Sequence, residues 1–127
     1  NNSEFKNYKA EAQEKWGNTD AYKEHEEKTK NYTSDKWNSL AESTDGILAE
    51  FAVCMKNGEN PQSPESQKLV SRLQSHITEN FYLCTNEILA GLGQMYVADE
   101  RFKSNIDKHA DGTAEFIRKA IEVYCRK

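Results

Sequence analysis

The sequence predicts an all-α fold, and three observations carry the prediction. Apolar residues recur at intervals of three and four in each segment that holds them. No stretch alternates apolar and polar residues with the period of two that marks a half-buried strand. Helix-starting and helix-stopping residues fall between the periodic segments, where a chain of helices needs them.

Taken in order, Phe5, Tyr8, Ala12 and Trp16 form one stripe of a first helix, which Gly17 ends. Asn18 or Thr19 caps a charged second helix that runs to about Asn31 and carries Tyr22. Ser34 is the expected cap of the third, where Trp37, Leu40, Thr44, Ile47, Leu48, Phe51 and Met55 recur until Asn57-Gly58. After a polar loop, Ser63-Pro64 supplies an N-cap followed by proline at the first helical position. The helix it opens, over about 64–81, presents Leu69, Leu73 and Ile77, with Phe81 and Tyr82 near its end. Thr85 or Asn86 caps a fifth helix with Ile88, Leu89, Leu92, Met95 and Tyr96 on one side. Asp99 opens a short helix with Phe102 and Ile106, and Asp111-Gly112-Thr113 starts a last one bearing Ile117, Ile121 and Tyr124.

A chain of 127 residues is the size of one domain with one core. Net charge is −4 and the isoelectric point about 5.4, so no basic field draws these residues to nucleic acid. No apolar run reaches the roughly 18 residues that a membrane span needs. Cys54, Cys84 and Cys125 are odd in number and widely spaced, which suits a reducing compartment, the cytoplasm, better than a disulfide framework. The chain opens Asn1-Asn2-Ser3 without Met and is read as a piece of something longer.

Hydrophobic residues make up 36% of the chain and mean hydropathy is −0.94, low for a folded domain, but the deficit is local. All 19 Leu, Ile, Val and Met residues lie at or after Leu40. The first 39 residues carry six of the 13 aromatics instead: Phe5, Tyr8, Trp16, Tyr22, Tyr32 and Trp37. Burying a large apolar side chain contributes about 1.5–3 kcal/mol, and fixing one residue's backbone costs about 1–2 kcal/mol. Six scattered aromatics do not order 39 residues alone. The expectation is one domain, 1–127, with residues 34–127 as core and 1–33 as an arm ordered only against the core or a ligand.

Few residues invite catalysis. His76, beside Ile77, is placed to face inward, whereas His25 lies within Glu24-His25-Glu26-Glu27 and His109 in a polar turn. No further haem signature accompanies them. Nothing has the short Cys/His spacing of a zinc site, so neither metal nor cofactor is expected. Cys84 as a nucleophile needs a base and an oxyanion hole that the sequence does not place. Glu26-Glu27 and Asp99-Glu100 read as solvated helix residues. An enzyme is not the leading reading. Gly91 and Gly93 stand inside a helix, where each costs about 1 kcal/mol relative to Ala. They serve either close helix packing or the floor of an apolar pocket lined by Phe81, Tyr82, Met95 and Tyr96.

Trp16-Gly17-Asn18-Thr19-Asp20-Ala21-Tyr22, Tyr32-Thr33 followed by Trp37, Tyr82-Leu83-Cys84, the block from Leu92 to Phe102, and Asn105-Ile106-Asp107 stand in this order along the chain. Together they resemble the TipAS family, the antibiotic-recognition domains at the C-terminus of MerR-type transcriptional activators. The resemblance implies a globin-like helical fold without haem and a cleft for bulky, largely apolar antibiotics, thiopeptides in the best-known case. It implies N-terminal helices that fold over the drug. On that basis Phe81, Tyr82, Ile88, Gly91, Met95 and Tyr96 hold the drug from one side, and Trp16 and Tyr22 close from the other. The resemblance also implies two thiols flanking the fifth helix, one of which adds to a dehydroalanine of the drug. The first position is Cys84; the second, to which attachment is assigned, is Gly91. Binding is therefore expected to be reversible, or covalent through Cys84 alone. DNA recognition and a homodimer would belong to a helix-turn-helix part absent from these residues. The alternative is a stand-alone protein that confers resistance by sequestering the drug, and an upstream helix-turn-helix would discriminate the two.

Overall fold

A computed structural model describes residues 10–127; Phe5 and Tyr8 of the expected first stripe lie outside the described residues. The described chain is helical in seven segments, with no strand among them. They are α1 (10–16), α2 (Asp20–Thr29), α3 (Ser34–Lys56), α4 (Pro64–Asn80), α5 (Asn86–Ala98), α6 (Glu100–Asp107) and α7 (Thr113–Cys125).

Side-chain caps set most of the boundaries. Thr19, Ser63 and Thr85 are extended and accept from the backbone N–H three residues on, and Asp99 accepts from that of Arg101. The cap of α3 is Thr33 rather than Ser34. Thr33 is the extended residue, its hydroxyl accepts from Lys36 N at 3.1 Å, and Ser34 is already the first helical residue. α7 begins after Gly112, whose φ of +91° favours glycine, and Asp107 Oδ1 caps it from α6 by accepting from Ala114 N at 2.8 Å.

The last helix is the hub of the core. α7 packs most extensively on α5 and also meets α3, α4 and α6, while α3 lies on α4. Phe51, Val70, Leu73, Leu89, Ile117 and Ile121 are at most 1% exposed and form its centre. α2 differs in kind: it contributes Thr29 to the buried set, where α3 contributes six residues.

The two helix glycines separate here. A Cβ on Gly93 would meet Ile121 Cδ1 at 3.3 Å, so this glycine lets α5 approach α7. A Cβ on Gly91 would meet nothing within 4 Å. We expect Gly91→Ala to raise stability by about 0.5–1 kcal/mol through helix propensity. Gly93→Ala should lower it by about 1 kcal/mol, because overpacking against Ile121 outweighs the same gain. Urea unfolding of both variants checks the opposite signs.

Candidate functional site

The candidate face is built where α4 ends and α5 begins. Phe81 N and Tyr82 N both donate to Ile77 O, at 2.8 and 3.2 Å, which turns the chain out of α4. The turn is fastened from below: Cys84 N donates to Thr78 Oγ1 at 3.1 Å, and Gln74 Nε2 donates to Cys84 O at 2.9 Å. Phe81 and Tyr82 are held half-buried against the core, with Cys84 buried behind them. Helical spacing then puts Ile88, Gly91, Leu92 and Met95 on one stripe of α5, with Tyr96 on its flank. Ile88, Leu92 and Tyr96 pack against the core, Met95 is half-buried, and the Tyr96 ring lies 6.3 Å from Phe102.

The N-terminal segment covers part of this face. The His25 ring of α2 stacks on Phe81 at 5.9 Å and lies 6.3 Å from Tyr82 and 6.2 Å from Trp37. Trp37 in turn stacks on Phe81 at 6.1 Å, and Tyr32 meets Trp37 edge-on at 5.5 Å. Such aromatic pairs contribute about 0.5–1.5 kcal/mol beyond their buried area. Three polar contacts accompany them. Lys28 Nζ donates to Thr78 O at 3.0 Å, Tyr32 Oη to Asn80 O at 2.7 Å, and Leu83 N to Glu24 Oε1 at 2.9 Å.

Burial dominates the chemistry of the face. It pushes the Tyr82 phenol up to about 12 and the Cys84 thiol up to about 11, the latter helped by Cys125 nearby. The Tyr96 phenol is raised by burial first and then by Tyr82 and Cys84, with which it shares the core cluster. All three stay protonated at neutral pH, and a protonated, buried thiol is a poor nucleophile. Burial also lowers His76 below the ordinary histidine value; its Nε2 hydrogen-bonds Thr44 Oγ1 at 2.8 Å. The face therefore offers aromatic and aliphatic surface with neutral donors.

Of the residues singled out from the sequence, Phe81, Tyr82, Cys84 and Tyr96 come together, with Ile88 and Met95 along α5. Gly91 is exposed on the same stripe. Tyr22 is half-buried, while Trp16 is 45% exposed with Lys15 Nζ 5.8 Å from its ring. Of the two readings of the helix glycines, close packing holds for Gly93, where a Cβ would meet Ile121, while Gly91 stays open. Two surface depressions lie away from this face. One of about 460 Å³ runs between α3 and α4 past Gly46, Arg72 and His76, and one of about 180 Å³ lies between α5 and α7. Sequence reasoning missed His25, Lys28 and Glu24, because a histidine among glutamates reads as a solvated helix face.

The α1 segment is tied down at the other end of the face. Arg101 donates to Glu11 at 3.1 Å through both terminal nitrogens, and to Asp99 at 2.6 Å. The guanidinium holds the Asp99 carboxyl down to about 2 and also lowers Glu11. Depressed folded-state values mean that this tie is present above the ordinary carboxylate range and is lost as pH falls through it toward about 2. Protection of the amides in 10–16, taken relative to the intrinsic exchange rate at each pH, should fall over that window before that of α5 and α7 does.

Comparisons with known proteins identify the family. The family model described as the TipAS antibiotic-recognition domain matches residues 8–124. The chain belongs to the TipAS family. Among curated relatives, the HTH-type transcriptional activator TipA of Streptomyces coelicolor is 39% identical over 114 residues, 90% of this chain and 45% of that protein. The HTH-type transcriptional activator mta of Bacillus subtilis is 38% identical over 102 residues, 80% of this chain and 39% of that protein. This TipAS domain thus spans less than half the length of the relatives it matches. A solved structure of Streptomyces lividans TipAS in complex with nosiheptide, from a study of a thiopeptide antibiotic multidrug resistance system, superposes with a TM-score of 0.86. It is 36% identical and covers 95% of this chain and 85% of that one. The all-helical fold read from periodicity is the fold of that neighbour. No described helix is long and apolar enough to cross a membrane.

Proposed function

We propose that this TipAS domain is the effector-binding domain of a MerR-type transcription activator acting in the cytoplasm, and that it binds bulky, largely apolar antibiotics of the thiopeptide kind. The binding face is the aromatic and aliphatic surface of Phe81, Tyr82, Ile88, Gly91, Met95 and Tyr96, with Cys84 behind it. Residues 1–33 are the arm that closes on the drug through Trp16 and Tyr22. DNA recognition and homodimerisation belong, in this reading, to the part of the activator outside the aligned region.

The observation that carries the proposal is the unequal attachment of the two parts. Residues from Ile47 onward form a connected core, whereas α2 and the turn after it rest on the binding face by ring stacking and by the polar contacts of Glu24, Lys28 and Tyr32, with Thr29 as the buried residue of α2. Such a segment sits at the low-stability end of a fold. Drug burial offsets the cost of ordering the arm, and the large change that follows is what a DNA-binding half senses. We also infer that the drug is bound and released chemically unchanged, since the buried Cys84 thiol is held protonated.

Titration with nosiheptide, followed by Trp fluorescence and by calorimetry at several temperatures, tests the proposal. Saturable quenching with a negative heat-capacity change is expected. Absence of saturable binding would remove the thiopeptide reading, and recovery of cleaved or modified drug would make the protein an enzyme.

A further inference from the structure

We propose that α2 is the missing C-terminal cap of α4, and that Lys28, Tyr32 and Glu24 are the positioning residues that latch the arm onto the binding face. The proposal rests on the reading of residues 1–33 as a closing arm and says what sets its closure.

A helix ends with four carbonyls that have no partner within it and with a partial negative charge, and it is usually finished by a glycine in the left-handed conformation or a basic residue in the last turn. α4 has neither. Its last turn holds no basic residue, and Asn80-Phe81-Tyr82 follows where a glycine would stand. Ile77 O is satisfied locally by Phe81 and Tyr82. Thr78 O takes its hydrogen bond from Lys28 Nζ, and Asn80 O takes its own from Tyr32 Oη, across sequence separations of 50 and 48 residues.

Glu24 and Lys28 act as a unit. They are one turn apart on α2, their charged groups 3.7 Å from each other. The carboxylate accepts from Leu83 N just past the helix end, while the ammonium donates to Thr78 O just before it. The pair therefore straddles the C-terminus of α4 with the positive member on its negative pole. Phe81 and Tyr82 leave the helix between these two anchors, so the group that closes the arm also fixes the binding residues. Opening the arm returns two carbonyls and one N–H to water and unstacks His25 from Phe81.

The test is amide exchange across the whole chain in the parent, Lys28→Met, Lys28→Arg and Tyr32→Phe, without drug, in buffer and with trimethylamine N-oxide added to favour the closed arm. We expect Lys28→Met to speed exchange in α2 by about three- to tenfold and Tyr32→Phe by about threefold, with α5 and α7 unchanged. Lys28→Arg should stay within about twofold of the parent, because it keeps the charge and a donor. Raising salt from about 0.05 to about 0.5 M should narrow the gap between the parent and Lys28→Met. Equal rates in α2 for the parent and Lys28→Met overturn the latch. So does acceleration spread evenly over α5 and α7, or an α2 that stays unprotected in the parent even with the osmolyte. Nosiheptide titrations run alongside should weaken in proportion to the loss of the closed fraction, by no more than the factor seen in exchange. If no variant binds nosiheptide while the exchange differences stand, the latch is supported and the thiopeptide reading fails.

Discussion

Replacing Trp16 by alanine lowers the affinity for nosiheptide about thirtyfold or more and leaves the melting temperature of the free domain within about 2 °C of the parent. The asymmetry follows from where the side chain stands. Trp16 is 45% exposed at the end of α1, and its backbone, through the carbonyl that accepts from Thr19 Oγ1 at 2.7 Å, does the local structural work. Truncating the ring removes little that the free fold buries. A large rigid aromatic that becomes buried when the arm closes on a drug has the character of a binding hot spot, where truncation costs about 2 kcal/mol or more. Calorimetry and thermal melting on the same preparations check the pair of values, and equal damage to both would make Trp16 an ordinary core residue.

The second large effect is a gain. Gly91→Cys is expected to turn reversible binding into covalent capture of a dehydroalanine-bearing thiopeptide, read as a mass increase equal to that of the drug. Position 91 is the one at which the TipAS resemblance puts the attacking thiol, and it lies on the stripe of Ile88 and Met95. It is exposed, and a side chain there meets nothing within 4 Å, so the substitution is free of strain. The native Cys84 has the opposite properties: 3% exposure and a thiol pushed up to about 11. Exposure and thiolate fraction govern reactivity. The parent and Cys84→Ser should both keep their unmodified mass, and a drug adduct on the parent that Cys84→Ser abolishes would show that Cys84 becomes accessible in the complex.

Most of the fold was legible in the sequence because local chemistry determines it. Thr19, Ser63, Thr85 and Asp99 cap the helices expected of them, since each has a free side-chain oxygen at a break in the apolar stripe. Ser34 was the expected cap of α3 and Thr33 is the actual one: both carry a hydroxyl, one residue apart, and the backbone conformation decides between them. The site was legible in part. Phe81, Tyr82 and Tyr96 stood out as large side chains near a helix end and beside costly glycines. Which glycine packs and which is open depends on Ile121, 28 positions beyond Gly93, and no local signal reports that. The arm's contacts were hidden for the same reason. Lys28 and Tyr32 reach main-chain carbonyls of α4, and a carbonyl leaves no mark on the residue type that carries it.

In the proposed reading, residues 10–33 are held less firmly than residues 34–127 until a drug is bound. Amide exchange of the free domain and of its nosiheptide complex measures this most directly. We expect α2 to exchange at least about a hundredfold faster than α5 and α7 in the free protein, and nosiheptide to slow α2 by at least about tenfold while changing the core little. Protection of α2 equal to that of α5 and α7 without drug, unchanged when nosiheptide is added, would contradict it.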